Sequence, residues 1–184
     1  MEATLKTLGL APEEGGPLMP ERLTFADDGG IPNTRLPTLL FRSSGVESGL
    51  DRDAVADCFE QLFARHGWRP SWRGGVYPYH HYHSIAHEAF GVLSGRGSLR
   101  LGGEQGEDVD IRAGDVLVLP AGTGHCHRWA SDDFLLLAAY PEDQRELDLI
   151  RDEPAEHDAA VARIAKVSRP EHDPLGGELA RWWP

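Results

Sequence analysis

Gly75-Val-Tyr-Pro-Tyr-His-His81-Tyr-His83-Ser-Ile-Ala-His-Glu88, running on through Ala-Phe-Gly-Val-Leu-Ser to Gly95, holds two histidines two residues apart, followed shortly by a carboxylate. In an extended strand, side chains two apart share a face, so His81 and His83 can point at one ion while Tyr82 turns away. A turn over Ser84 to His87 then starts the next strand at Glu88 and lays its carboxylate beside the imidazoles. His87 is the alternative metal ligand if that turn is longer by one residue.

A second stretch, Gly114-Asp-Val-Leu-Val-Leu-Pro120-Ala-Gly122-Thr-Gly-His125, alternates Leu117 and Leu119 as a buried strand, turns at Pro120 to Gly124, and opens another strand on His125, the fourth candidate ligand. Around these stretches short apolar runs are broken by Gly and Pro at regular intervals, the pattern of an antiparallel sandwich or barrel. Strands are expected at Val76 to His83, Glu88 to Leu93, Ser98 to Leu101, Glu107 to Ile111, Asp115 to Leu119, Gly124 to Trp129 and Phe134 to Tyr140.

Upstream, Val55, Phe59, Leu62 and Phe63 recur at helical spacing and Gly67 suits the position past a helix end, which predicts a helix over 51–66. Leu36 to Phe41 reads as a short strand whose start Pro37 pushes toward a sheet edge. Residues 1–35, rich in Gly, Pro and acids, read as an N-terminal arm that resists a helix or a long strand and packs on a barrel of residues 36–150. Downstream, 151–184 is expected to hold a helix at Pro154 to Lys166, with Val161, Ile164 and Ala165 on one side, and an aromatic Trp182-Trp183 tail belonging to the same domain.

The chain has 184 residues, 40% hydrophobic and 26% charged, which fits one globular domain. A net charge of -12, from 30 acidic against 18 basic residues, opposes binding to nucleic acid or anionic membrane, and no basic patch offsets it. Met1 to Leu10 has no export-signal pattern, so the cytoplasm is the expected location. Two unpaired cysteines, Cys58 and Cys126, give neither a disulfide framework nor a cysteine zinc site.

The spacing G-x5-H-x-H-x4-E-x6-G is met by Gly75, His81, His83, Glu88 and Gly95, and G-x5-P-x-G-x2-H by Gly114, Pro120, Gly122 and His125. These resemble the two motifs of the cupin superfamily. The stretches His80-His-Tyr-His-Ser, Ala86-His-Glu, Gly114-Asp-Val, Pro120-Ala-Gly, Ser131-Asp-Asp-Phe and Ala139-Tyr-Pro are similar to single-domain bacterial YjlB-like cupins. Trp129 departs from the general pattern, standing where cupins often place Asn.

The resemblance implies an all-β fold, a double-stranded β-helix or RmlC-like jelly-roll barrel with one or two peripheral helices. It implies one divalent metal ion, Fe, Mn, Ni, Co or Zn, on His81, His83, Glu88 and His125, with open positions for oxygen, water or substrate. A homodimer acting on a small molecule is the corresponding expectation. Strand parity adds Phe90, Val92 and Trp129 as pocket walls, and His127 and Tyr79 as candidates for proton transfer.

Three classes of function follow: a metal-dependent oxygenase or dioxygenase, a non-oxidative metal-dependent isomerase, decarboxylase or lyase, and a non-enzymatic small-molecule or metal-binding cupin.

Overall fold

The computed structural model describes residues 1–11 and 18–183; Pro12, Gly15, Gly16 and Pro17 of the expected arm, and Pro184 of the tail, lie outside the described residues. Glu107–Arg112 and Val116–Leu119 show how the chain builds its layers. In the first, Val109 and Ile111 are buried while Glu107, Asp108 and Asp110 face water, the alternation of a strand with one wet face. In the second, Val-Leu-Val-Leu is buried throughout, so both faces of that strand are covered.

The strands are β1 Glu21–Leu23, β2 Thr38–Phe41, β3 Trp68–Gly74, β4 His81–Tyr82, β5 Glu88–Ser94, β6 Arg96–Leu101, β7 Glu107–Arg112, β8 Val116–Leu119, β9 His125–Ala130, β10 Leu135–Pro141 and β11 Ile150–Arg151. They form two antiparallel sheets. One is six-stranded in the order β1-β2-β8-β5-β10-β3, the other five-stranded in the order β11-β4-β9-β6-β7. Phe90, Val92, Leu117, Leu136 and Ala138 of the larger sheet meet Leu99, Leu101, Val109 and Ile111 of the smaller one, which fills the interior of a jelly-roll barrel.

The outer face of the six-stranded sheet is covered by helix α2, Arg52–Arg65. Asp51 caps it by accepting the backbone N–H groups of Asp53 and Ala54, and Gly67 lies just beyond its end at φ 78°. Val55, Phe59, Leu62 and Phe63 pack on Leu39, Phe41, Ala89, Val116, Val118 and Leu137. Helix and sheet meet closely at Gly91, where a Cβ atom would lie 3.0 Å from two ring atoms of Phe59.

The arm departs from its sequence reading. Residues 2–7 form helix α1, Glu2–Thr7, and Leu5, Leu8 and Leu10 enter the same core as α2. Burial of those leucines outweighs the Gly, Pro and acidic bias of the segment, and β1 adds a further element as the sheet edge. Helix α3, His157–Ile164, makes three α-helices among the described residues, against one or two expected. It buries Ala160 and packs Ile164 against Ile31 and Tyr82, whereas Val161 is exposed.

Two strand expectations also shift. β2 starts after Pro37 and lies inside the sheet, with β1 covering its outer side. Val76 to His83 shrinks to the two residues of β4, since Pro78 offers no N–H to a ladder and residues 75–80 run irregularly. Of the strands not expected from the sequence, β3 carries Arg, Pro and Ser and owes its extended form to pairing with β10. Trp183 is buried in the α2 side of the core and donates its indole N–H to the Pro37 carbonyl at 2.8 Å. No helix among the described residues is long and apolar enough to cross a membrane.

Candidate metal centre

Three short pieces of backbone converge at one end of the barrel. β4 carries His81 and, one residue beyond its end, His83; β5 begins on Glu88; β9 begins on His125. His81 and His125 are direct partners across β4 and β9, with ring centroids 4.2 Å apart, while Glu88 reaches across from the other sheet. The turn into β9 needs Gly122, whose φ is 91° and where a Cβ atom would lie 2.6 Å from the Asn33 carbonyl oxygen.

His83, Glu88 and His125 offer ligand atoms that all lie within 4.8 Å of one another. His83 Nε2 is 3.6 Å and His125 Nε2 3.3 Å from Glu88 Oε2. His81 stands beside this group, packed on the His125 ring, but outside the set that meets that mutual distance.

The tautomers follow from the other ring nitrogens. Nδ1 of His81 lies 3.1 Å from the Tyr79 carbonyl, Nδ1 of His125 lies 3.0 Å from the Thr123 carbonyl, and Nδ1 of His83 contacts the Asp148 carbonyl. A carbonyl only accepts, so each Nδ1 carries a proton, and each ring in its neutral form presents Nε2 as a lone pair. That is the arrangement of a metal-ligating histidine.

Glu88 Oε2 and His125 Nε2, both buried, have no hydrogen-bond partner among the described residues and face each other as two lone-pair atoms. Such a pair repels unless a cation or a proton lies between. The two imidazoles and one carboxylate of that set fit a divalent transition ion, so these residues suit the group that the resemblance implies.

Electrostatics treat the rings differently. Burial pushes the His81 imidazole down to about 3, with His125 adding to the shift. Burial pulls His83 down as well, but the Glu88 carboxylate outweighs it and raises the ring to about 8. Burial alone would raise Glu88; the charge of the neighbouring His83, with His125 beside it, holds it well below the ordinary carboxylate range.

Beside the ligand group lies a cavity of about 420 Å³ lined by His81, His83 and Glu88 and, on its apolar side, by Trp72, Val76, Tyr77, Phe90 and Tyr140. Leu147, Asp148 and Leu149 complete the lining from the segment before β11. Asp148 anchors that segment, its carboxylate accepting the Ser84 N–H at 2.8 Å and the Ser84 hydroxyl at 2.5 Å; Arg163 of α3 donates to the same Ser84 oxygen at 2.6 Å.

Phe90 reaches the cavity as parity indicates, but four other expected residues do not. Val92 is fully buried in the barrel core. Trp129 is 44% exposed, with the Arg96 guanidinium 5.8 Å from its ring centre, and neither it nor His127 lines the cavity. For Trp129 the reason is a bulge in β9: Leu99 pairs with His127 but Ser98 with Trp129, and the extra residue, Arg128, breaks the alternation beyond His127. Tyr79 sits under the Arg151 guanidinium, 3.9 Å from its ring centre, and serves the site through its carbonyl.

His87 has both nitrogens engaged elsewhere. Nδ1 accepts the Ala121 N–H at 2.8 Å, and Nε2 lies 3.1 Å from the Ser168 carbonyl, to which it donates. Burial lowers this imidazole to about 4. Cys126 faces His80 at 3.6 Å, and burial raises its thiol.

Sequence reasoning missed Trp72, Tyr77, Tyr140 and Asp148. Tyr140 was reachable by parity, two residues beyond the inward-facing Ala138. Asp148 lies in an irregular stretch that carries no periodic signal.

A family model described as "Cupin domain" matches residues 72–139. The uncharacterized protein YjlB of Bacillus subtilis (strain 168) is 37% identical over 155 residues, 84% of this chain and 88% of the relative. Among solved structures, procruciferin, the 11S globulin of Brassica napus, aligns at TM-score 0.37 and 16% identity over 43% of this chain, which spans only 22% of that protein. Acireductone dioxygenase from Bacillus anthracis, with a cadmium ion in its active centre, aligns at TM-score 0.37 and 19% identity over 53% of this chain and 65% of its own. With the paired sheets, the two histidine motifs and a relative matched along most of its length, the chain belongs to the cupin superfamily, in the branch that includes YjlB.

Proposed function

We propose that this chain is a metal-dependent cupin of the oxygenase or dioxygenase type, holding one divalent ion on His83, Glu88 and His125 with His81 as the fourth ligand, and acting on a small molecule in the adjoining cavity. One observation carries the reading: three imidazoles whose Nδ1 protons are committed to backbone carbonyls stand with Nε2 lone pairs around a buried carboxylate. A bound ion there supplies Lewis acidity and, if it is iron, one-electron chemistry with oxygen.

The chain's own groups do the rest. Glu88 is held ionised and supplies the negative charge; Tyr140 donates its proton to Glu88; Trp72, Val76 and Phe90 exclude water; Leu147 and Leu149 line the cavity beside them. The walls suit a largely apolar molecule with a few polar handles. Residues 1–35 and 151–184 are read as parts of one domain with 36–150, since Leu5, Leu8, Leu179 and Trp183 share a core cluster with the sheet. A homodimer is part of the reading and is checked by light scattering.

The test is anaerobic loading with Fe(II), then oxygen uptake with a panel of enediols, diketones and phenolic acids. Uptake by the parent and its loss in a His83→Ala, His125→Ala double variant is the expected result. Turnover with Zn(II) under nitrogen would move the protein to the non-oxidative class, and tight capture without turnover would make it a binding module. Equal metal content in parent and double variant would overturn the site itself.

A further inference from the structure

The two oxygens of Glu88 have different surroundings. Oε2 faces the imidazoles, 3.3 Å from His125 Nε2 and 3.6 Å from His83 Nε2. Oε1 accepts the Tyr140 hydroxyl at 2.5 Å, in a buried contact, and the Tyr140 oxygen in turn accepts the Trp72 indole N–H at 3.4 Å. The three residues come from adjacent strands β5, β10 and β3, with Ala89 opposite Ala139 and Trp72 opposite Ala138. The sheet itself therefore sets the order of the chain.

Donor chemistry gives that chain one direction. The indole N–H only donates and an ionised carboxylate only accepts, so the Tyr140 proton goes to Glu88. A hydroxyl bonded to an ionised carboxylate is among the stronger hydrogen bonds.

We infer that Tyr140, oriented by Trp72, is a positioning residue that reserves Glu88 Oε1 and confines metal ligation to Oε2. The inference rests on the metal-centre reading above and deepens it. On a six-coordinate ion, three imidazoles and one carboxylate oxygen leave two positions open; a carboxylate binding through both oxygens would leave one. Tyr140 thereby sets whether a chelating ligand, which takes two adjacent positions on the ion, can bind.

The experiment uses the full chain loaded with Co(II), whose visible spectrum reports coordination, and two probes: acetohydroxamate, which chelates, and azide, which takes one position. The parent is expected to bind both. Tyr140→Phe is expected to weaken acetohydroxamate by about tenfold or more, the scale of lost support around a metal ligand, with little change for azide and with lower visible absorption. Tyr140→para-aminophenylalanine, which keeps an N–H donor, is expected to restore the parent pattern.

An unchanged ratio of the two affinities in Tyr140→Phe overturns this inference while leaving the metal centre standing. Failure of the parent to take up Co(II) overturns the metal centre itself, and this inference with it. If Tyr140→Phe does not fold, X-ray absorption of the Co(II) parent decides: one ligating carboxylate oxygen supports the assignment, and two refute it.

Discussion

His87→Ala separates a structural histidine from a metal ligand. The parent ring is 2% exposed, satisfies the Ala121 N–H and the Ser168 carbonyl, and packs 4.8 Å from the Trp183 ring centre. Truncation strands one buried donor and one buried acceptor, at about 1–3 kcal/mol each, and loses the ring packing, about 0.5–1.5 kcal/mol. The expected loss is about 2.5–7.5 kcal/mol, a large share of the ~5–15 kcal/mol by which domains are stable.

The same ring gives a pH signature. In the fold it titrates at about 4, pushed down by burial; in the unfolded chain it returns to about 6.5. Between those values the unfolded chain holds the extra proton, so stability is full above 6.5 and is lost as pH falls toward 4. The limiting loss is about 3 kcal/mol. Urea denaturation at pH 7.0 and 4.5, on parent and variant, measures both effects; the parent loses more on acidification than the variant by most of that amount. A His87→Ala protein that keeps its midpoint but loses bound Co(II) would refute the structural role and restore His87 as a ligand.

Other outcomes follow from the same geometry. Single changes His83→Ala and His125→Ala each lower Co(II) affinity by at least about tenfold, read by titration of the visible bands, while far-ultraviolet circular dichroism stays that of the parent. Gly91→Ala drives a methyl into the Phe59 ring and costs about 1–3 kcal/mol in chemical denaturation, without touching metal stoichiometry. Arg163→Met removes the donor to Ser84 Oγ, loosens the Asp148 anchor, and is expected to speed hydrogen exchange of residues 144–149 before it alters global stability.

The candidate ligand group was legible because its information is local. His81 and His83 are two apart, Glu88 starts the next strand, and the Pro120 to Gly124 turn delivers His125. The alternation in β7 and the unbroken apolar run in β8 likewise announce one wet and one covered sheet. What failed was anything decided across the fold: one residue of bulge at Arg128 moved Trp129 from expected wall to surface, and the polar look of Trp68–Gly74 hid a strand that exists through its pairing with β10. His87 was open as a ligand until the positions of Ala121 and Ser168, far along the chain, claimed both its nitrogens. The Asp148 anchor has no local pattern at all.

Trp183 carries a consequence in time as well as in space. The outer face of the six-stranded sheet is closed by Leu175, Leu179 and Trp183, and the Trp183 indole is tied back to Pro37, 146 positions earlier. During synthesis, everything through β11 leaves the ribosome while this apolar seam is still open. The nascent barrel thus carries an open apolar seam after its last strand has emerged, and its cover against clumping arrives only with Leu175, Leu179 and Trp183.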